Sequence, residues 1–191
     1  GAALMISGGL TGVTDPITIN GGGISGANGA IRSTSGNNTL AGKVTLASAA
    51  TIQSDANTLT IDVSSGDAID GTFALTIAGS GNTTVNDPVA TSTGTLTKSG
   101  SGTLTLAAVN TFTGETTISL GTLTVSSAGQ LNSGSYSATI SNSGALIYAS
   151  SANQTLSGII SGSGTLTKNT GTGTLTLSAA NTYTGNTTIS T

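Results

Sequence analysis

The side chains able to carry acid–base or metal chemistry are few. There are seven carboxylates (Asp15, Asp55, Asp62, Asp67, Asp70, Asp87 and Glu115) and four cations (Arg32, Lys43, Lys98 and Lys168), with no His and no Cys. The one acidic cluster is Asp62-Val-Ser-Ser-Gly-Asp67-Ala-Ile-Asp70. Oxygen ligands so spaced can hold Ca²⁺, and a carboxylate pair can cleave a glycosidic bond as acid and base. The Ser-Ser-Gly between Asp62 and Asp67 also gives the cluster the make-up of a solvated turn, the reading preferred here. Without His or Cys, the common nucleophilic arrangements lack their base or their nucleophile, and neither a sulfur metal site nor a disulfide can form. A Ser/Lys dyad remains open by residue type, but Lys43, Lys98 and Lys168 are read as occupying ordinary repeat positions. The expectation is a protein that is not an enzyme, with no catalytic, cofactor-binding or metal-binding residue assigned and no cofactor.

Charged residues are only 6% of the chain and the net charge is −3. A nucleic-acid partner is therefore not expected, because four basic side chains leave no electrostatic footprint for a phosphate backbone. The stretch Gly21-Gly-Gly-Ile-Ser-Gly26 lacks the Lys of a phosphate-binding loop and reads as turns. No apolar run approaches the roughly 18 residues of a membrane-spanning helix. Aromatics for stacking on sugars are sparse, namely Phe73, Phe112, Tyr136, Tyr148 and Tyr183. The Asn-x-Thr sequons at Asn37, Asn82 and Asn186 are expected by chance in a chain so rich in Asn and Thr.

The elements that would position these groups alternate in polarity. Thr58-Leu-Thr-Ile-Asp-Val63, Leu75-Thr-Ile77 and Thr103-Leu-Thr-Leu106 set Thr or Asp against Leu, Ile or Val with period two, in runs of three to six residues broken by Gly, Asn or Ser. This placement, with a mean hydropathy of +0.22, argues against a disordered Gly/Ser/Thr linker. The same words then return. Gly94-Thr-Leu-Thr-Lys98 recurs at Gly164 to Lys168, Gly102-Thr-Leu-Thr-Leu106 at Gly173 to Leu177, Asn110-Thr-Phe-Thr-Gly114 at Asn181 to Gly185, and Thr116-Thr-Ile-Ser119 at Thr187 to Ser190. Short strands repeated almost verbatim, without Trp or Cys, disfavour an immunoglobulin-type sandwich and fit a solenoid.

The fold expected is all-β, a right-handed parallel β-helix forming a single continuous stack of coils over 1–191, with repeat motifs at 94–125 and 164–191. Coils of about 20 residues give nine or ten turns and a rod on the order of 45 Å long. Leu96, Leu104, Leu106, Leu166, Leu175 and Leu177 belong to inward columns. Asn110 and Asn181 are candidates for a stacked amide ladder, and Asp15-Pro16 and Asp87-Pro88 mark turns or strand entries. Phe112 and Tyr183 share a repeat position, which suggests packing or turn covering. Outward Thr could order ice or a regular glycan, but Thr is also the polar residue best suited to an exposed strand face, and that plainer reading is preferred.

At these words the chain resembles the passenger-associated transport repeat of bacterial autotransporters, of the form GxGTLTLxxxNTYTGxTTIxxGTLxV. Gly102 to Val125 follows it nearly throughout, with Phe112 for Tyr and Glu115 for a small residue, and Gly173 to Ser190 follows its first two thirds. The preceding coils are similar to the variable coils of very large passenger proteins. The resemblance implies a β-helix outside a bacterial cell, delivered in the family through a C-terminal translocator barrel that these residues do not include.

The function expected is therefore structural: an extracellular or cell-surface fibre or stalk segment. The alternatives are an adhesin passenger that binds host or glycan surfaces, with Ala128 to Tyr148 as the segment to project, and a polysaccharide-active β-helix enzyme. The expected partners are neighbouring repeats of the same protein, with end-to-end self-association. Thr187-Thr-Ile-Ser-Thr191 followed by Gly1-Ala-Ala-Leu-Met-Ile reads like Thr116 to Val125, so a tandem array of this unit is a further expectation.

Overall fold

In the computed structural model, which describes residues 1–24 and 28–190, the chain is a parallel β-solenoid of about eight turns with three faces. The first face stacks β1 (Leu4–Ser7), β3 (Ile31–Ser35), the second half of β5 (Val44–Ser54), β8 (Leu75–Ala78), β11 (Leu96–Lys98), β13 (Thr116–Ile118), β16 (Ile140–Asn142) and β19 (Ile160–Ser161). The second face stacks β4 (Asn38–Leu40), β6 (Thr58–Ile61), β9 (Asn82–Val85), β12 (Thr103–Leu106), β14 (Thr122–Ser127), β17 (Ala145–Ser150), β20 (Thr165–Lys168) and β22 (Thr187–Ile189). The third holds β2 (Ile17–Gly21), the first half of β5, β7 (Ile69–Gly71) and β10 (Val89–Ala90), followed further along by β15 (Ser135–Tyr136), β18 (Gln154–Leu156) and β21 (Leu175–Leu177). Every pairing between these strands is parallel.

The alternation in sequence sets the inside and outside of each face. In β12 the two Leu side chains are buried and the two Thr side chains are partly exposed, and Leu104 lies in line with Leu123 and Leu146 in the next two coils. Such columns build one core from Ile6 to Leu166. Full burial of each Leu, Ile or Val contributes roughly 1.5–3 kcal/mol. Both Pro residues stand where they cost the ladder nothing, since Pro16 immediately precedes β2 and Pro88 immediately precedes β10.

Two details correct the sequence expectations. Coils are less uniform than 20 residues: Thr103 pairs with Thr122, nineteen on, whereas Leu4 pairs with Ile31, twenty-seven on. Longer corners lower the count from nine or ten coils to about eight, a rod nearer 40 Å at about 4.8 Å per coil. The segment Ala128 to Tyr148 does not project. It supplies β15, β16 and part of β17, with Leu131, Tyr136, Ile140 and Leu146 in the core. The Gly21 to Gly26 stretch begins in β2 and a turn, and its last two residues lie outside the described ones.

Candidate functional site

The carboxylates do not converge. Asp62 is exposed, and Asp70 is bound to Lys43, with Nζ to Oδ2 at 2.7 Å. Burial pushes the Asp70 carboxyl up, but hydrogen bonds from Lys43 and Thr45 outweigh it and hold the group below the usual carboxylate value. Asp87 Oδ2 accepts the Val63 N–H at 2.8 Å, and Asp55 pairs with Arg32 at 2.6 Å. Among the described residues, no group of three His, Cys, Asp or Glu side chains is placed to hold a metal ion. The Asp62, Asp67 and Asp70 carboxylates are thus a turn with one ion pair in this geometry.

What the fold does bring together is the repeated vocabulary, in a way the sequence hides. Leu96 pairs with Thr116, Thr116 with Ile140 and Ile140 with Ile160, so three coils up the first face lead to Ile160. The six residues that remain of the 70-residue offset carry the chain round a corner, and Leu166 falls on the second face. The sequence repeat is therefore three coils plus one face. Relations within each copy are kept: β11 lies under β13 and β20 lies under β22, each pair one coil apart. A Cβ on Gly114 would come 2.2 Å from the Gly94 carbonyl oxygen, and one on Gly185 would come 2.1 Å from that of Gly164. Equivalent residues of the two copies do not touch.

The Asn ladder expected from Asn110 and Asn181 consequently does not form. Each amide instead ties its corner to the backbone of adjacent coils: Asn110 Oδ1 accepts the Val89 N–H of the coil below at 3.0 Å while Nδ2 donates to the Ala108 carbonyl of its own coil and the Gln130 carbonyl of the coil above, and Asn181 Oδ1 accepts the Ile160 N–H of the coil below at 2.7 Å. Asn38, Asn142 and Gln154 perform the same service in other coils. They stand outside the repeated words, so no spacing pointed to them.

Phe112 and Tyr183 show how neighbouring coils complete a word. Tyr183 Oη lies 2.6 Å from Thr187 Oγ1 within its own copy. Phe112, fully buried, has no hydroxyl to offer the equivalent Thr116. Tyr136 of the following coil supplies it, with its oxygen 2.8 Å from Thr116 Oγ1, a hydrogen bond to the Gly114 carbonyl, and its ring edge-on to Phe112 at 5.9 Å. Burial pushes the Tyr136 phenol up to about 12. Phe112→Tyr places a second hydroxyl where one is already housed and is expected to cost about 1–3 kcal/mol. The double variant Phe112→Tyr/Tyr136→Phe recovers most of that loss, measured as the coupling in a denaturation cycle.

Lys98 is the polar group least expected from sequence. It sits in the inward column between Ile77 and Ile118, is 1% exposed, and turns its Nζ back to the Ser99 and Gly100 carbonyls at 2.9 and 2.8 Å. Burial with no acid beside it pulls its pKa down from 10.5 to about 8. Lys168, its counterpart one face away, caps the Asn169 and Gly171 carbonyls with Nζ 6.0 Å from the Tyr148 ring centre. Between pH 8 and 10.5 the unfolded chain holds the Lys98 proton more firmly than the folded one. Folding stability therefore rises with pH in that window, by about 3 kcal/mol at most. Tyr136 acts in the opposite sense, its contribution present below pH 10 and lost as the pH climbs towards 12. Denaturation midpoints should climb from pH 8 to 10 and then fall. Lys98→Met should abolish the climb and keep the fall.

Outward Thr side chains are aligned. On the second face Thr39, Thr60, Thr84, Thr105 and Thr124 form one column, interrupted by Ile147 and resumed by Thr167 and Thr188. The column presents hydroxyls and no charge, which keeps an otherwise nearly uncharged rod wetted.

Residues 96–125 and 170–191 match the sequence family described as Passenger-associated-transport-repeat. No curated protein and no solved structure matches the chain.

Proposed function

Because the chain carries two passenger-associated transport repeats within a parallel β-solenoid, we propose that it works as a structural stalk or fibre segment of an exported bacterial autotransporter passenger. The repeat family implies export or surface exposure. The observation that carries the reading is the three-coils-plus-one-face offset, with each copy stacked on the coils around it. The repeated words are spent on corner glycines, capping amides and core Leu, that is, on extending a rod. The Lys of the TLTK words turns inward to carbonyls, and the carboxylates lie scattered or paired. This disposition favours a scaffold over a polysaccharide-active site. Neighbouring coils of the same protein are its partners, and a tandem array of such units is the natural extension.

Adhesion is the second reading, and the uncharged Thr column of the second face is the surface available for it. An antibody raised against residues 1–190 tests the location on cells that produce the protein. Labelling of intact cells as fibres extending from the surface is expected. Labelling that appears only after permeabilisation would overturn the proposal. Binding of the purified chain to a glycan or host-cell panel, lost on Thr105→Lys/Thr124→Lys, would move the reading to adhesion.

A further inference from the structure

Beside the column of Thr60, Thr84, Thr105 and Thr124 on the second face runs a second outward column over the same four coils: Thr58, Asn82, Thr103 and Thr122. Coils stack about 4.8 Å apart and residues two apart in a strand are separated by about 6.6 Å, so the two columns form a rectangular grid of side chains. All but Asn82 are Thr. Among the described residues, no hydrogen bond joins any of these Thr hydroxyls to the protein, and none is a sealed, unpartnered oxygen, so all of them reach solvent. Thr34, Thr113 and Thr116 elsewhere spend their hydroxyls on carbonyls or on Tyr136. Asn82 lends its Oδ1 to the Thr103 N–H at 3.0 Å and lies along the stack. No charged residue stands in the four strands, and Asp62, just past β6, is at the edge. The first face has no equal. Its column of Thr76, Thr97, Thr117 and Ser141 is continuous, but the positions two residues earlier include Ala74 and Glu115, which interrupt the companion column.

We infer that the second face binds ice, with the grid from β6 to β14 as the contact surface. Its two repeats lie close to the two perpendicular repeats of oxygen on a prism face of hexagonal ice, so waters held by hydroxyls of successive coils stand where that lattice needs them. The spacing is fixed by backbone, because each of the four strands is paired on both sides. The β-branched Thr side chain is stiff at χ1, so little rotamer freedom is lost on contact. Each Thr also sets a methyl group beside its hydroxyl. An ammonium group, strongly hydrated, would impose its own water order, and the grid contains none. A glycan fits less well, since sugars are commonly held by stacking on aromatic rings and no exposed ring lies on this face. Tyr148, in β17, is buried. The grid stops at β17, where Ala145 and Ile147 take the two columns, so it lies wholly inside the stack with coils on either side.

Ice grown slowly in a dilute buffered solution of the chain is the probe, and the fraction of protein taken into it is compared with that of a non-binding protein of similar size. The chain is expected to be enriched in the ice. Thr105→Lys/Thr124→Lys should lower that enrichment about tenfold, because an ammonium group pressed against the lattice must shed its water. Thr105→Lys alone, a milder change at the centre of the grid, should lower it in part, and Thr117→Lys on the first face should leave it unchanged. All three positions are partly exposed on strand faces, and circular dichroism near the freezing point checks that each variant is folded. Exclusion of the unsubstituted chain from ice to the same extent as the control would overturn ice as the ligand. An equal loss from Thr117→Lys would overturn the second face as the contact surface. Exclusion from ice together with retention on powdered cellulose would assign the grid to a glycan instead. Ice binding needs only the stacked second face, so its failure would leave the stalk reading to the labelling of intact cells, and a failure of that labelling would leave ice binding standing.

Discussion

Phe112→Ala is expected to destabilise the chain by about 3–5 kcal/mol, read as a shift in the denaturation midpoint at unchanged slope. Phe112 is fully buried, its ring meets Tyr136 edge-on, and the coil above is tied to it through Tyr136 and Thr116. Removing it opens a cavity that stacked coils cannot close without breaking their register, because each strand is held on both sides. Tyr183→Ala, the same change in the second copy, should cost only about 1–2 kcal/mol, since Tyr183 is half-buried and its hydroxyl is exposed. Two nearly identical words thus differ in worth according to how deeply each aromatic ring is buried.

The second large effect is at a glycine. A Cβ on Gly102 would stand 1.9 Å from the carbonyl oxygen of Gly81 in the coil below, and one on Gly121 would stand 2.4 Å from that of Gly102. Both neighbours are backbone in a stacked corner and have no rotamer to yield. Gly102→Ala should therefore cost about 3 kcal/mol or more, at the upper end of overpacking penalties. Gly66 provides the contrast. Its φ is +83° and a Cβ there meets nothing within 4 Å, so Gly66→Ala carries only the left-handed backbone cost of roughly 1–2 kcal/mol. Urea denaturation of the two variants side by side separates close approach from conformation. Equal losses would show that the corners do not stack as described.

Much of this architecture was legible beforehand. The Thr–Leu alternation gave the strands and their inward faces, the Pro positions gave two strand entries, and the repeated words gave the solenoid. Each of these is a local property of the chain. The one-face turn between copies was not legible, because it depends on the sum of corner lengths over three coils, which run to twenty, twenty-four and twenty residues per turn from Leu96 to Ile160. That is why Asn110 and Asn181 were expected to stack and do not. Lys98 escaped notice for a related reason. A Lys ending a Thr-Leu-Thr run occupies an inward place by parity, but only the corner geometry shows that two carbonyls wait for its ammonium group. Ala128 to Tyr148 looked like a projecting segment because it shares no words with the repeats, yet a coil needs only inward aliphatics at the right parity, and Leu131, Ile140 and Leu146 provide them.

The stacked, one-face-offset solenoid is tested most directly by two intrachain cysteine pairs. Thr105 lies opposite Thr124 one coil away on the second face, whereas Thr176, the sequence equivalent of Thr105, lies on the third face. Oxidation of the dilute Thr105→Cys/Thr124→Cys variant should give an intrachain disulfide, and Thr105→Cys/Thr176→Cys should stay reduced. A bridge between Cys at 105 and 176 would mean that the two copies of the repeat pack on each other, and would contradict the solenoid.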